Sequence, residues 1–392
     1  MSPPVVATSV AQRELGTWDR GSEGPTLLVL AGIHGNEPAG IAAVQRVLAE
    51  LQQRNVALRG RVIALAGNLT ALAAGRRYLA RDLNRGWLPE ALTELTARDP
   101  AQDSPEDAQQ RDLLQRFAAV VDAARGPVVF VDLHTSSADG PPFLCLADTI
   151  ENRDLALATG VPIILGIEET IDGASLEWFT SRGIVAIAVE GGRHQHPDTV
   201  GNHEAVLWLV LGYLGMVDEP QLQAGRHREH LRQATVGVPQ IVEIAHRHAI
   251  TVEDRFVMAP GFGNFQPVQK GMLLAHDKNG EIRADRACRM LLPLYQALGD
   301  DGYFLAQPVQ RFWLEVARWL RRLQLDRVVH WLPGVRRDPV DRLTILVNPL
   351  VARWFVTEIF HLLGFRKQRQ RGGRLAFTRR WSLPANAQLA RR

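Results

Sequence analysis

Short apolar runs alternate with helix-patterned stretches over the first 215 residues. TLLVLAG (26–32) reads as a strand buried on both faces. Behind it, PAGIAAVQRVLAELQQR repeats apolar residues at helical spacing, with Pro38 suited to the first turn. RVIALAG (61–67) predicts a second strand and EDAQQRDLLQRFAAVVDAA (106–124) a second long helix. VVFVDLH (128–134), FLCLA (143–147), VPIIL (161–165) and IVAIAVE (184–190) complete the strand set, and NHEAVLWLVLGYLG (202–215) reads as a closing helix. Strands alternating with helices predict a layered α/β domain on a largely parallel sheet.

From about 236 to 305 the pattern shortens to strand-like runs broken by Gly, Pro and Asn-Gly or Asp-Gly pairs. This predicts a small β domain, with Asn279-Gly280 as a hairpin turn. Beyond 310 the period returns to that of a helix. RFWLEVARWLRRL places Phe312, Trp313, Val316, Leu320 and Leu323 on one face, flanked by Arg318, Arg321 and Arg322. The stretch LTILVNPLVARWFVTEIFHLLGF (343–365) is apolar enough to raise a membrane span, but Asn348, Pro349, Arg353, Glu358 and His361 weigh against one. The end, FRKQRQRGGRLAFTRR, reads as basic and poorly ordered. The expected organisation is an α/β domain over 1–220, a small β domain over 221–308 and a basic amphipathic helical extension over 309–392.

At 392 residues the chain is long enough for two or three domains of about 100–200 residues each. Hydrophobic residues at 46% and charged residues at 22% are ordinary for a globular protein with a sizeable core. Cys145 and Cys288 are the only cysteines, which argues against a disulfide framework or a thiolate metal site and suits a reducing compartment. Cys145 sits in an apolar run and reads as packing rather than a nucleophile. MSPPVVATSV lacks a basic region ahead of an apolar run, so no signal peptide is expected and the cytoplasm is the expected location.

Charge changes the picture of the tail. Residues 311–392 carry 18 Arg and Lys against 5 Asp and Glu, a net of +13. Residues 1–310 carry 27 basic and 37 acidic residues, a net of −10. A basic extension on an acidic body suggests a separate job for the tail. It reads either as helices docked on the body or as a peripheral contact with an anionic membrane surface. Nucleic acid is disfavoured, because arginines and aromatics interleave without any recognised binding motif.

Candidate chemistry gathers at predicted strand ends. A catalytic zinc needs about three nitrogen or oxygen ligands and one open position. Strand ends on one edge of a parallel sheet converge on one crevice. His34 and Glu37 lie just past the first strand, His134 ends VVFVDLH, and Glu190 ends IVAIAVE. Alone, His34-Gly35-Asn36-Glu37 would read as a polar loop; the recurrence at three strands gives it weight. In RRYLARDLNRGW (76–87), Arg77, Asn84 and Arg85 could form a cationic, amide-lined wall for a carboxylate. His194 and His196 in GGRHQHP lie beyond Glu190 and read as solvated or rim residues.

In chain order, H-x-x-E after the first strand, R-Y-x-x-x-D-L-N-R, D-L-H-[TN]-[ST]-S and a strand-end V-E-G resemble the aspartoacylase/succinylglutamate desuccinylase family, a branch of the zinc-carboxypeptidase fold. The resemblance covers about residues 20–305. It implies a mixed, largely parallel sheet flanked by helices, with a small β domain, to which this chain adds its basic helical tail. It implies one Zn2+ per chain on His34, Glu37 and His134, with Glu190 as general base and acid. Arg77 would polarise the scissile carbonyl, Asn84 and Arg85 would hold the substrate carboxylate, and Asp82 would accept a ligand histidine's other N–H. A tyrosine from the β domain would reach the substrate, for which Tyr303 and Tyr295 are the candidates. The implied activity is removal of an acyl group from an N-acyl amino acid or related carboxylated amide. A zinc carboxypeptidase for short peptides is the alternative, disfavoured because the β domain narrows the site against long chains. A membrane- or partner-binding adaptor with a vestigial site is disfavoured by the intact ligand-plus-base set. Homo-oligomerisation stays open.

Overall fold

The computed structural model describes residues 12–323, 329–332, 334–339, 344–348, 363, 365–371 and 374–379. Its strands in chain order are β1 (Glu14–Asp19), β2 (Thr26–Ala31), β3 (Arg61–Ala66), β4 (Val128–Ser136), β5 (Phe143–Leu146), β6 (Ile163–Leu165) and β7 (Val185–Arg193). They continue as β8 (Ile241–Ala249), β9 (Val257–Met258), β10 (Pro267–Val268), β11 (Leu273–Asp277), β12 (Gly280–Arg283), β13 (Cys288–Leu291) and β14 (Asp301–Pro308). Eleven of them form one mixed sheet in the order β1-β3-β2-β4-β7-β5-β6-β8-β14-β13-β10.

The centre of the sheet is parallel, from β3 through β2 and β4 to β7. Every residue of β2 and β4 is buried, as their unbroken apolar runs require of strands covered on both faces. Alternation sorts β2 between two cores. Leu27 and Val29 pack with helices Ala39–Gln53 and Asp198–Tyr213, while Leu28 and Leu30 pack with Phe117 of helix Pro105–Asp122 and with Phe130, Trp178 and Phe179. Each large side chain so buried contributes about 1.5–3 kcal/mol, which holds the strand ends in fixed register.

The predicted β domain does not stand apart from this sheet. β8 pairs in parallel with β6 through Ile163↔Ile241, and β14, β13 and β10 extend it antiparallel. Only β9, β11 and β12 form a separate small sheet in that region. The predicted hairpin is there, with Lys278 and Asn279 between the paired Asp277 and Gly280.

The tail corrects the sequence reading. Helix Arg311–Arg322 forms as expected, but beyond it the described residues carry one 3-10 turn, Val329–Trp331, and then the strands β15 (Val335–Arg337), β16 (Thr344–Val347), β17 (Phe365–Arg371) and β18 (Arg374–Arg379). These four strands form an antiparallel sheet in the order β15-β16-β18-β17. β17 and β18, expected to be poorly ordered, pair from Phe365↔Arg379 to Arg371↔Arg374, with a Gly-Gly dipeptide between them in sequence. Ile345, Val347 and Phe377 give this sheet an apolar core that the basic composition hides. Most of the apolar stretch 343–365 lies outside the described residues. Among those described, no helix is long and apolar enough to cross a membrane.

The helix also turns its faces differently from the expectation. Leu314, Ala317 and Arg321 are buried, whereas Phe312, Trp313, Trp319 and Leu323 are exposed. The cause is ionic: Arg321 reaches the buried Asp148 at 2.9 Å, Arg153 holds the same carboxylate, and Arg318 pairs with Asp154.

Candidate active site

His34, Glu37, His134 and Glu190 come from the ends of strands or the loop just beyond, while Arg77, Asp82, Asn84 and Arg85 follow the short helix Leu69–Ala74. β2 ends at Ala31, and the chain turns through His34 and Glu37 before Pro38 precedes helix Ala39–Gln53. Gly35 in that turn is obligatory, because a Cβ there would lie 2.1 Å from the backbone carbon of Ala71. β4 delivers Asp132 and His134 on one face, two residues apart. β7 runs parallel beside it and sets Glu190 in register with His134.

The three residues His34, Glu37 and His134 are buried and offer ligand atoms all within 4.8 Å of one another. Both histidines are oriented alike. His34 turns Nδ1 to Glu37 Oε1 at 2.9 Å and Nε2 to Asp82 Oδ1 at 3.2 Å. His134 turns Nδ1 to Glu37 Oε2 at 3.3 Å and Nε2 to Asp132 Oδ2 at 3.1 Å. Each ring is therefore held from behind by an aspartate and presents its other nitrogen to a shared carboxylate, the arrangement that fixes tautomer and aim in a metal site. Two imidazoles and one carboxylate, buried and convergent, fit a zinc ion by donor type and number.

The surrounding charges keep this set poised. Burial alone would raise Glu37, but the histidine charges and hydrogen bonds bring its carboxyl well below the usual range. Burial likewise works against Asp82, and His34 and Arg77 outweigh it, again to well below normal. His134 moves the other way: burial would lower it, yet Asp132 and Glu37 raise it well above an ordinary histidine. A cluster this rich in carboxylate attracts a cation.

Glu190 differs from these groups. It is half-buried in the cavity wall, and its Oε2 has no hydrogen-bond partner among the described residues. Burial, offset by the His134 charge and reinforced by Glu37, pushes its carboxyl up to about 7.

The remaining candidates are brought to the same cavity, of about 180 Å³, which His34, Glu37, Arg77, Asn84, Arg85, His134 and Glu190 all line. The expected cationic wall is largely neutralised. Arg77 donates to Asp82 Oδ2 at 3.0 Å and to Glu37 Oε1 at 3.5 Å. Arg85 reaches Asp301 Oδ2 at 3.3 Å. Asn84 accepts from the Ser175 amide at 2.7 Å. Cys145 also lines the cavity, and burial raises its thiol well above normal, which suits packing rather than nucleophilic attack.

Tyr303 is a correction. It is buried in the core of the β9–β14 region, stacked parallel on His248 with ring centres 4.9 Å apart, and does not line the cavity. Side chains alternate along β14, so its neighbour Phe304 faces the cavity instead. Tyr295 is structural too, donating its hydroxyl to Ala259 O at 2.7 Å. The adjacent Gln296 does line the cavity and accepts from Asn36 at 2.8 Å. His194 joins that rim through Thr135 at 2.7 Å, whereas His196 is exposed.

Three supporting residues escaped the sequence reading. Asp132 was marked by its spacing, since D-x-H on a strand puts both side chains on one face. Ser175 donates to the other side of Asp132 Oδ2 at 2.7 Å and has no local signature. Buried Glu106 accepts from the backbone amides of Leu79 and Ala80 at 2.7 and 2.9 Å, which shapes the loop between Arg77 and Asp82.

Comparison with known proteins bears on the fold and on the first part of the chain. Residues 23–191 match the succinylglutamate desuccinylase/aspartoacylase catalytic domain. A succinylglutamate desuccinylase of Burkholderia thailandensis is 33% identical over 111 residues. That is 28% of this chain and 31% of the relative, so the match spans about a third of that protein's length. Among solved structures, a succinylglutamate desuccinylase/aspartoacylase from Rhodobacter sphaeroides superposes with a TM-score of 0.54 at 20% identity, covering 74% of this chain and 87% of that one. The ectoine utilization protein EutE (DoeB) of Ruegeria pomeroyi superposes with 0.52 at 21%, covering 74% and 86%. Murine aminoacylase 3 gives 0.52 at 21%, covering 74% and 97%. Identities this low speak to the fold alone, and the fold is theirs. Within it, residues 23–191 carry the similarity to the succinylglutamate desuccinylase/aspartoacylase catalytic domain.

Proposed function

We propose that the chain is a zinc-dependent amidohydrolase that releases the acyl group from an N-acyl amino acid or related carboxylated amide. The observation that carries this reading is the buried His34–Glu37–His134 set, each histidine backed by an aspartate and facing one shared carboxylate. Those three side chains would hold the metal, which when bound acts as a Lewis acid and makes water acidic enough to deprotonate near neutral pH.

The chain's own residues then divide the remaining work. Glu190, with a carboxyl near 7, can take a proton from water and return it to the leaving amine. Arg77 lines the cavity with its positive charge reinforced by Asp82 and Glu37, and it would stabilise the developing oxyanion. Arg85 and Asn84 would position the substrate carboxylate. Asp82 and Asp132 keep the histidine rings in place.

The peptidase alternative is disfavoured by the chain between β13 and β14, whose Leu292, Leu294, Gln296 and Asp300 line the cavity with the metal-ligand candidates and take up room an extended peptide would need. Both free cysteines are buried, which suits the cytoplasm. The outward aromatic face of helix Arg311–Arg322, with Arg311 and Arg322 exposed beside it, favours peripheral contact with an anionic membrane surface.

Turnover of N-acyl amino acids by the zinc-loaded protein tests the reading. Glu190→Gln is expected to keep the metal and lose about 10²–10⁴-fold in kcat, the usual worth of a positioned acid–base group. Full turnover by the variant, or by protein freed of metal, would refute it.

A further inference from the structure

Resting on the hydrolase reading, we infer that the substrate carries one carboxylate and, elsewhere, an apolar substituent, either an aliphatic or aromatic acyl group or an amino-acid side chain of that kind. Two independent features of the cavity point there.

The first is a recess beside the general base. Ala188 precedes Glu190 by two residues on β7, so it shares Glu190's face, and its registry partner on β5 is Cys145. Both line the cavity and both are small, which leaves depth at that spot. Phe304, Ile167, Ile171 and Leu292 complete the apolar wall. All six belong to one apolar cluster continuous with the interior. A polar or charged group seated there would lose water without gaining a partner, while a hydrocarbon gains about 25 cal/mol for each Å² it buries.

The second is the charge of the lining. Glu37, Glu168, Glu177, Glu190, Asp300 and Asp301 line the cavity beside Arg77 and Arg85, with Glu168 and Glu177 accepting from the backbone amides of Asp148 and Gly173. Arg77 is engaged by Asp82 and Glu37. Arg85 and Arg247 share the single carboxylate of Asp301, which leaves one unit of positive charge at that pair. One substrate carboxylate matches it. A second, as in a dicarboxylic acyl group or an acidic side chain, would meet either the apolar wall or further carboxylates, at a cost of several kcal/mol if left unpaired.

The test is a kcat/KM panel on the zinc-loaded chain. In one arm the amino acid is fixed and the acyl group runs through acetyl, butyryl, hexanoyl, benzoyl and succinyl. In the other the acyl group is acetyl and the side chain runs through those of alanine, leucine, phenylalanine, aspartate and glutamate. The apolar members of at least one arm are expected to exceed its dicarboxylic members by at least about 100-fold. The arm that responds says which substituent fills the recess. Ala188→Leu is expected to lower the ratio of the largest apolar member to the acetyl or alanine member about tenfold, and Ile171→Ala to raise it. Succinyl, aspartate or glutamate substrates turned over as well as the apolar ones would overturn the inference while leaving the hydrolase reading intact. If no amide is hydrolysed, the hydrolase reading falls, and calorimetric titration with hexanoate and with succinate decides the recess by itself. Hexanoate binding weakened by Ala188→Leu supports it, and equal or tighter binding of succinate overturns it.

Discussion

At His134 the two ring nitrogens have separate tasks, and the sequence spacing sets them. Asp132 lies two residues earlier on the same face of β4 and takes Nε2 at 3.1 Å, which leaves Nδ1 directed at Glu37. Asp132 is fully buried and accepts from Ser175 as well, so its own position is fixed. Asp132→Asn is expected to weaken zinc affinity about 10–100-fold, as measured by competition with a chelator, with the fold retained. An unchanged affinity would mean that the ring is held by packing alone. Most of this arrangement was legible in the chain: His34, Glu37, His134 and Glu190 fall where the predicted strand ends put them, and Asp82 where the family resemblance implies it. Tyr303 was not. A strand residue and its neighbour point to opposite faces, and nothing in DDGYFLA says which parity faces the cavity until β14 pairs with β8.

At the scale of elements, helix Arg311–Arg322 shows where periodicity stops being informative. Its apolar and basic stripes were read correctly, but the stripe that docks is chosen by partners far away in sequence. Arg321 meets Asp148 and Arg318 meets Asp154, contacts that span more than 160 residues. Burying an arginine that is well paired leaves four large apolar side chains, Phe312, Trp313, Trp319 and Leu323, facing outward. The double variant Trp313→Ser/Trp319→Ser is expected to lower partition onto anionic lipid vesicles at least about tenfold in a sedimentation assay, while hydrolase activity in solution persists. Undiminished vesicle binding would remove this face from the membrane contact. The strands β15–β18 were missed for a different reason. In β17 and β18 the apolar positions are few and embedded in arginines, which points to disorder before the alternation can be seen, whereas the TILV of β16 reads as the start of one long apolar stretch.

For the molecule as a whole, the sheet ties the site to global stability. His203, on helix Asp198–Tyr213, is fully buried behind the end of β7, where a Cβ on Gly191 would come within 2.4 Å of its ring. Burial, helped by the charge of His134, drives its imidazole down to about 3. In the unfolded chain the same group takes up its proton near 6.5. Between those values the unfolded state binds the extra proton, so stability contributed by neutral His203 is complete above about pH 6.5 and is lost as pH falls toward 3. Denaturant titrations from pH 7 to 4 are expected to show up to about 1.4 kcal/mol lost per pH unit from this group, a component absent in His203→Leu. Equal slopes for the two proteins would show that the ring is hydrated or partnered when folded. The general α/β architecture and its element order were readable from alternating apolar runs. The fusion of the β region with the main sheet was not, because the β6–β8 pairing joins segments about 78 residues apart.

All of this converges on one claim, that His34, Glu37 and His134 together hold a catalytic metal. Elemental analysis of the purified full-length chain, beside His34→Ala and His134→Ala variants, addresses it directly. The expected result is about one zinc per chain in the unaltered protein and essentially none in either variant, with hydrolase activity lost in parallel. Zinc retained in both variants, or a metal-free chain that hydrolyses N-acyl amino acids at full rate, would contradict it.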